Sequence, residues 1–117
     1  MSHIAYNMNM EVKIYRDEQG SEPFIEWLES IRDKTSQARI RARLRRIELG
    51  NLGDHRSIGE GIFELRLQFG PGYRVYCGQI DEKIILLLAG GVKKTQQRDI
   101  IKAKHYWYDD KRSQKNE

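Results

Sequence analysis

Arg66, Gln68, Arg74 and Tyr76 stand on either side of a Gly70-Pro71-Gly72 turn, in two stretches where polar and apolar residues alternate. From Ile62 to Phe69 the alternation puts Phe63, Leu65, Leu67 and Phe69 on one face of a strand and Glu64, Arg66 and Gln68 on the other. If the chain folds back about Pro71 into a strand from Tyr73 to Ile80, Arg66, Gln68, Arg74 and Tyr76 share an open face, with Glu64 on it too. Such a set suits a phosphoryl group, because a guanidinium can hold two phosphate oxygens at once. Lys93 and Lys94 follow the next apolar strand and project further positive charge. Adjacent residues at a strand end point in opposite directions, so only one of the two is expected in the site. Glu64 on the open face and His55, an imidazole in a glycine-rich loop, are the proton-carrier candidates, ahead of His105 and Tyr106. The competing reading pairs Arg74 with Glu64 across the strands and leaves Arg66 solvated.

Charge distribution points to a polyanion. Residues 8–31 carry two basic side chains against six acidic ones, whereas residues 32–115 carry 19 basic against 10 acidic, within a chain of net charge +4. A basic surface gains affinity for nucleic acid by releasing condensed counterions. In the helical stretch before Gly50, Arg39, Arg43 and Arg46 can share one face and are candidates for RNA phosphates, with a solvated face as the alternative; Tyr76 could stack on a base. No metal is expected, since His3, His55 and His105 are scattered and neither HExxH nor a DxD cluster occurs. Ser, His and Asp form no hydrolase motif, and no cofactor is implied. The lone Cys77 excludes an internal disulfide and fits a reducing cytoplasm and a core position. No apolar run approaches the roughly 20 residues that span a bilayer, so no membrane association is expected.

Positioning such a site calls for a sheet with helices to cover it. Glu11 to Tyr15 reads as a first strand. A helix from about Glu22 to Arg32, capped by Ser21, carries Phe24, Leu28 and Ile31 as its stripe; a second, capped by Thr35 or Ser36, runs to about Leu49 with Ile40, Leu44 and Ile47 inward. Gly50 to Gly61 reads as an irregular loop. After the hairpin, Lys83 to Gly91 holds the IILLLA run of a central strand covered on both faces. Thr95 then caps a last helix to about Asp109, with Ile100, Ala103 and Trp107 inward. The expectation is one α+β domain over residues 10–110, in the order β-α-α-β-β-β-α with a largely antiparallel sheet, and flexible tails at 1–9 and 111–117.

Within that frame Gly61 to Lys94, with its FELR, GPGYRVY and GGVKKTQ segments, resembles the sheet region of RelE/ParE-superfamily toxins, and the HigB-like, phage-derived branch most closely. The helical PFIEWLESI and the RLRRIELGNLGDHRSIGEG stretch continue the resemblance, which covers roughly residues 10–110. It implies a RelE-like fold, a toxin that cleaves mRNA in the ribosomal decoding site without a metal, and a cognate antitoxin. Arg74 matches the family's phosphate-contacting arginine, Arg66 its basic residue on the preceding strand, and Lys93-Lys94 its basic pair at the mouth of the cleft. The family's catalytic tyrosine position falls on Ile100, so that role has no carrier. The ParE branch, which inhibits DNA gyrase by protein contact, is the main rival, and a non-catalytic nucleic-acid-binding regulator is a third reading.

Overall fold

Nine elements follow one another along the chain in the computed structural model, which describes residues 9–115. They are β1 (Glu11–Ile14), α1 (Pro23–Ser30), α2 (Lys34–Glu48), β2 (His55–Gly59), β3 (Ile62–Leu67), β4 (Tyr73–Gln79), β5 (Ile84–Val92), a 3-10 turn (Lys93–Thr95) and α3 (Gln96–Lys115). The strands form one sheet in the order β1-β5-β4-β3-β2. β2, β3, β4 and β5 are antiparallel neighbours, while β1 lies parallel to β5, so the sheet is mixed. The class is α+β, as expected. The element order is not: a strand occupies His55–Gly59, where a loop was expected, and a 3-10 turn precedes the last helix.

Helices cover both faces. Ile85 and Leu87 of β5 point into the layer formed with Phe24 and Leu28 of α1 and Ile40 and Ile47 of α2. Leu86 and Leu88 point the other way, onto Ala103 and Trp107 of α3. A strand buried on both faces must be apolar at every position, which accounts for the unbroken IILLLA run. Each fully buried Ile or Leu of the run contributes about 1.5–3 kcal/mol on burial. Two glycines seat the indoles: a Cβ on Gly78 would stand 2.3 Å from the Trp107 ring, and one on Gly90 would stand 2.1 Å from that of Trp27. Cys77 is a core side chain, and burial pushes its thiol pKa up.

Helix ends depart from expectation in detail. The N-cap of α1 is Glu22 rather than Ser21 and makes no side-chain cap bond, while the Ser21 N–H donates to Asp17 Oδ1 at 2.9 Å in the preceding turn. Asp33 caps α2, accepting from the Thr35 N–H at 3.1 Å and from Ser36 Oγ at 2.8 Å. α3 continues through Lys111–Lys115, where a tail was expected. Residues 1–8, expected as a tail and including His3, lie outside the described residues. Among the described residues no helix is long and apolar enough to cross a membrane.

Candidate functional site

The tight Gly70-Pro71-Gly72 connection sets the β3–β4 register, with Arg66 directly opposite Arg74 and Glu64 directly opposite Tyr76. Above this pair of strands, between β2 and the start of α3, lies a groove of about 570 Å³ lined by Arg56, Arg66, Gln68, Arg74, Lys93 and Gln96. Neither a carboxylate nor a histidine is among its lining residues. Four cations and two side-chain amides therefore face one concavity.

Glu64 is 0 % exposed and lies beneath the residues that line the groove. Its Oε1 accepts from Arg56 Nε at 3.0 Å, its Oε2 accepts from Gln96 Nε2 at 2.7 Å, and Arg74 Nε stands 4.0 Å from Oε1. A carboxylate so enclosed is an anchor for the cations around it. Arg74 itself is 8 % exposed, and its Nη1 donates only weakly, to the carbonyls of Tyr73 at 3.3 Å and Gly72 at 3.5 Å. Its buried Nε has no hydrogen-bond partner among the described residues, nor does the hydroxyl of Tyr76. Burial first, and the Glu64 charge second, push the Tyr76 phenol pKa up, so it stays neutral.

On the other side of β3 a second groove, of about 370 Å³, runs between α2 and the hairpin and shares Arg66 and Gln68 with the first. Asp54 stands between the two, accepting from Gln68 Nε2 at 2.7 Å and from Arg66 Nη2 at 2.9 Å. These bonds hold the Asp54 carboxyl pKa below its ordinary value. Arg43 of α2 fixes this segment from beneath: Nη1 donates to the Arg66 carbonyl at 2.8 Å, Nη2 to those of Asp54 at 2.7 Å and Leu52 at 2.9 Å. Gly53 permits the approach, since it adopts φ +65 and a Cβ there would stand 2.8 Å from the guanidinium. Arg39 lies over the Phe69 ring, 3.8 Å from its centroid.

Arg66, Arg74 and Lys93 come together as the residue spacing suggested, and Lys94 does not. Lys94 turns toward Arg98 in an adjoining groove, with Lys93 on the boundary between the two. Glu64 lies on the expected face, but that face is closed over it by Arg56 and Gln96. Tyr76 is fully buried beside α3, so the expected stacking on a base has no exposed ring to use. His55 is corrected outright: opposite Leu65 in the sheet, it packs edge-on against Phe63 on the helical-hairpin side, and Nδ1 meets the Gly53 carbonyl at 2.8 Å. Arg39 and Arg46 are exposed, whereas Arg43 is consumed by backbone carbonyls rather than presented to solvent. Arg56, Gln96 and Asp54 were not anticipated. The signal for Arg56 was available in principle, since HRSI alternates weakly before the Gly59-Glu60-Gly61 turn.

Among the described residues no group of three or more His, Cys, Asp or Glu side chains could hold a metal ion. Comparison with known proteins adds a family. A protein of Haemophilus influenzae, itself uncharacterized, is 44% identical over 81 residues, which are 69% of this chain and 82% of that protein. The sequence profile described as phage-derived protein Gp49-like (DUF891) matches residues 26–107, from within α1 to Trp107 of α3, and so takes in β2 to β5 and every groove residue described above, while β1 precedes it. The chain therefore belongs to the phage-derived Gp49-like family.

Proposed function

We propose that this protein is the toxin of a toxin–antitoxin pair, with a RelE-like fold of the HigB type, and that it cleaves mRNA on the ribosome without a metal. The observation that carries the reading is the convergence of Arg56, Arg66, Arg74 and Lys93 on a groove whose lining holds no carboxylate. Membership of the Gp49-like family supports it. In RNA cleavage of this kind the 2′-hydroxyl gives up its proton and attacks the adjacent phosphorus. The bond to the 5′-oxygen then breaks, and with the 2′-hydroxyl proton passing to water and the 5′-oxygen taking one from water, the products are a 2′,3′-cyclic phosphate and a 5′-hydroxyl. Negative charge builds on the non-bridging oxygens in the transition state, and fixed cations placed there lower the barrier.

Arg74 and Arg66 hold those oxygens, Arg56 and Lys93 flank them, and Glu64 keeps Arg56 and Arg74 in place. No groove-lining side chain is a strong base among the described residues. Intrinsic activity on free RNA is therefore low, and the ribosome supplies the substrate's in-line geometry. An antitoxin with acidic side chains covers the same groove when the protein is silenced.

Two assays on the purified protein test this: mapping of 5′ ends on mRNA bound to programmed ribosomes, with and without EDTA, and DNA gyrase supercoiling. Cuts at ribosome-bound codons that persist when chelator is matched to the ribosome's own magnesium support the reading. Intact mRNA with inhibited supercoiling would move the protein to the ParE type, and neither effect would leave a regulator that only binds.

A further inference from the structure

We infer that single-stranded RNA follows one continuous track over this protein, from the Lys93–Arg74 groove round the edge of β3 into the groove beneath Arg39 and Arg46. The inference deepens the nuclease reading and rests on it for the choice of RNA as the strand. Arg66 and Gln68 line both grooves, so the two are joined rather than separate. Among the described residues the edge between them is free of a neighbouring strand, because β2 begins at His55 opposite Leu65 and leaves β3 unpaired on that side from Arg66 onward, apart from the Arg66 N–H bond to the Asp54 carbonyl.

Positive charge along the track exceeds the two carboxylates beside it, Asp54 and Glu64. None of the ion pairs among the described residues involves Arg39, Arg46 or Lys93. Asp54, the one carboxylate lining the second groove, already accepts from Arg66 and Gln68. The flat Arg39–Phe69 stack offers a plate on which a base can lie, since aromatic and guanidinium planes hold bases without reading their identity. Shape favours a single strand. Its backbone turns at every nucleotide and can round the β3 edge, whereas a duplex or a straight acidic helix would fill one groove and project past the other.

The test measures binding of fluorescein-labelled oligouridylates of 4 and 12 nucleotides between 50 and 200 mM salt, for wild type and for Arg39→Gln/Arg46→Gln. Each phosphate contact on a single strand contributes about 0.7 to the salt slope, so losing two lowers it by about 1.4 for the 12-mer. Over that range wild type then loses about sevenfold more affinity than the variant. The 4-mer, held by the first groove alone, shows equal slopes for both proteins. Arg39→Lys/Arg46→Lys restores the 12-mer slope, and unchanged melting temperatures show that the variants are folded.

Equal 12-mer slopes overturn the track. So does a matching drop for the 4-mer, or for a 12-base-pair duplex, since a short or straight ligand would then engage Arg39 and Arg46 equally well. Tight binding of a polyglutamate 12-mer in place of the RNA 12-mer would assign the second groove to a protein partner and also overturn it. Slopes as expected beside an absence of ribosomal cleavage would sink the nuclease reading and leave the track standing.

Discussion

Replacing Arg43 with alanine separates two kinds of arginine that occupy the same stripe of α2. Arg43 is 8 % exposed, and its guanidinium serves the carbonyls of Leu52, Asp54 and Arg66, while Arg39 and Arg46 face solvent. In the alanine variant three carbonyls lose a charged donor, and a void opens beside Gly53. Hydrogen bonds from a charged donor contribute about 1.5–3 kcal/mol each. The gain from no longer desolvating a guanidinium, the burial that also lowers its pKa, offsets part of that loss. A net destabilisation of about 3 kcal/mol is expected, at the low end for breaking a buried charged arrangement. In a domain of this size about 1 kcal/mol corresponds to roughly 4 °C, which gives a fall of about 12 °C in Tm. Arg39→Ala and Arg46→Ala, being surface changes, should stay within about 0.5 kcal/mol, or about 2 °C. Arg43→Lys should recover less than half of the loss, because a point charge cannot reach three carbonyls on different strands of chain. Parallel thermal melts followed by circular dichroism measure all four. An Arg43→Ala protein that melts within about 2 °C of wild type would refute the assignment of Arg43 to the scaffold.

Arg74→Ala should abolish growth inhibition on expression while changing stability by no more than about 1 kcal/mol, since its hydrogen bonds are long, relief of the like-charged contact with Arg66 offsets the loss of its 4.0 Å approach to Glu64, and Glu64 keeps Arg56 and Gln96 as partners; toxicity scored beside thermal melting decides it. Gly78→Ala should cost about 3 kcal/mol, the upper end of overpacking, because the new methyl group meets the Trp107 ring and lifts α3 from β4; a melting temperature equal to that of wild type would contradict the packing. Asp54 has a folded-state pKa below its unfolded value of about 3.8. Its contribution is therefore fully present above that value and lost as pH falls through the depressed pKa, and Asp54→Asn should remove this acid-side part of the stability profile while leaving neutral to alkaline pH dependence unchanged.

How much of this could be read in the sequence follows from where each piece of information resides. The Arg66–Arg74 register was legible because alternation and the Gly70-Pro71-Gly72 turn are local, and a one-residue slip would expose Leu65, Leu67 and Val75 together. The doubly covered β5 was legible from its unbroken apolar run. β2 was not, because an edge strand with mostly exposed side chains needs no apolar face, and its flanking glycines read as loop. The fate of Glu64 depended on Gln96, 32 residues away, folding back over it, and the difference between Arg43 and its two neighbours depended on three carbonyls brought beneath α2 by the chain's return. Local periodicity places a side chain on a face; only the tertiary fold decides what meets it there.

Two arginines directly opposite each other on antiparallel strands repel, and a like-charged cross-strand pair destabilises a sheet by about 0.2–1 kcal/mol. The fold tolerates Arg66 and Arg74 by drawing them toward separate carboxylates: Arg66 outward to Asp54 at 2.9 Å, Arg74 toward the buried Glu64 at 4.0 Å. Neither carboxylate pairs with both arginines at once, as a single anion bound between them would. Glu64 is shared further with Arg56, so the groove's cations outnumber the carboxylates that hold them. On the proposed reading, a phosphate in the groove would relieve the remaining repulsion, and would relieve more of it as the phosphoryl oxygens gain charge on the way to the transition state. If the protein cleaves RNA as proposed, a site arranged in this way would stabilise the transition state more than the ground state without moving a side chain, which is the sense in which fixed cations catalyse phosphoryl transfer.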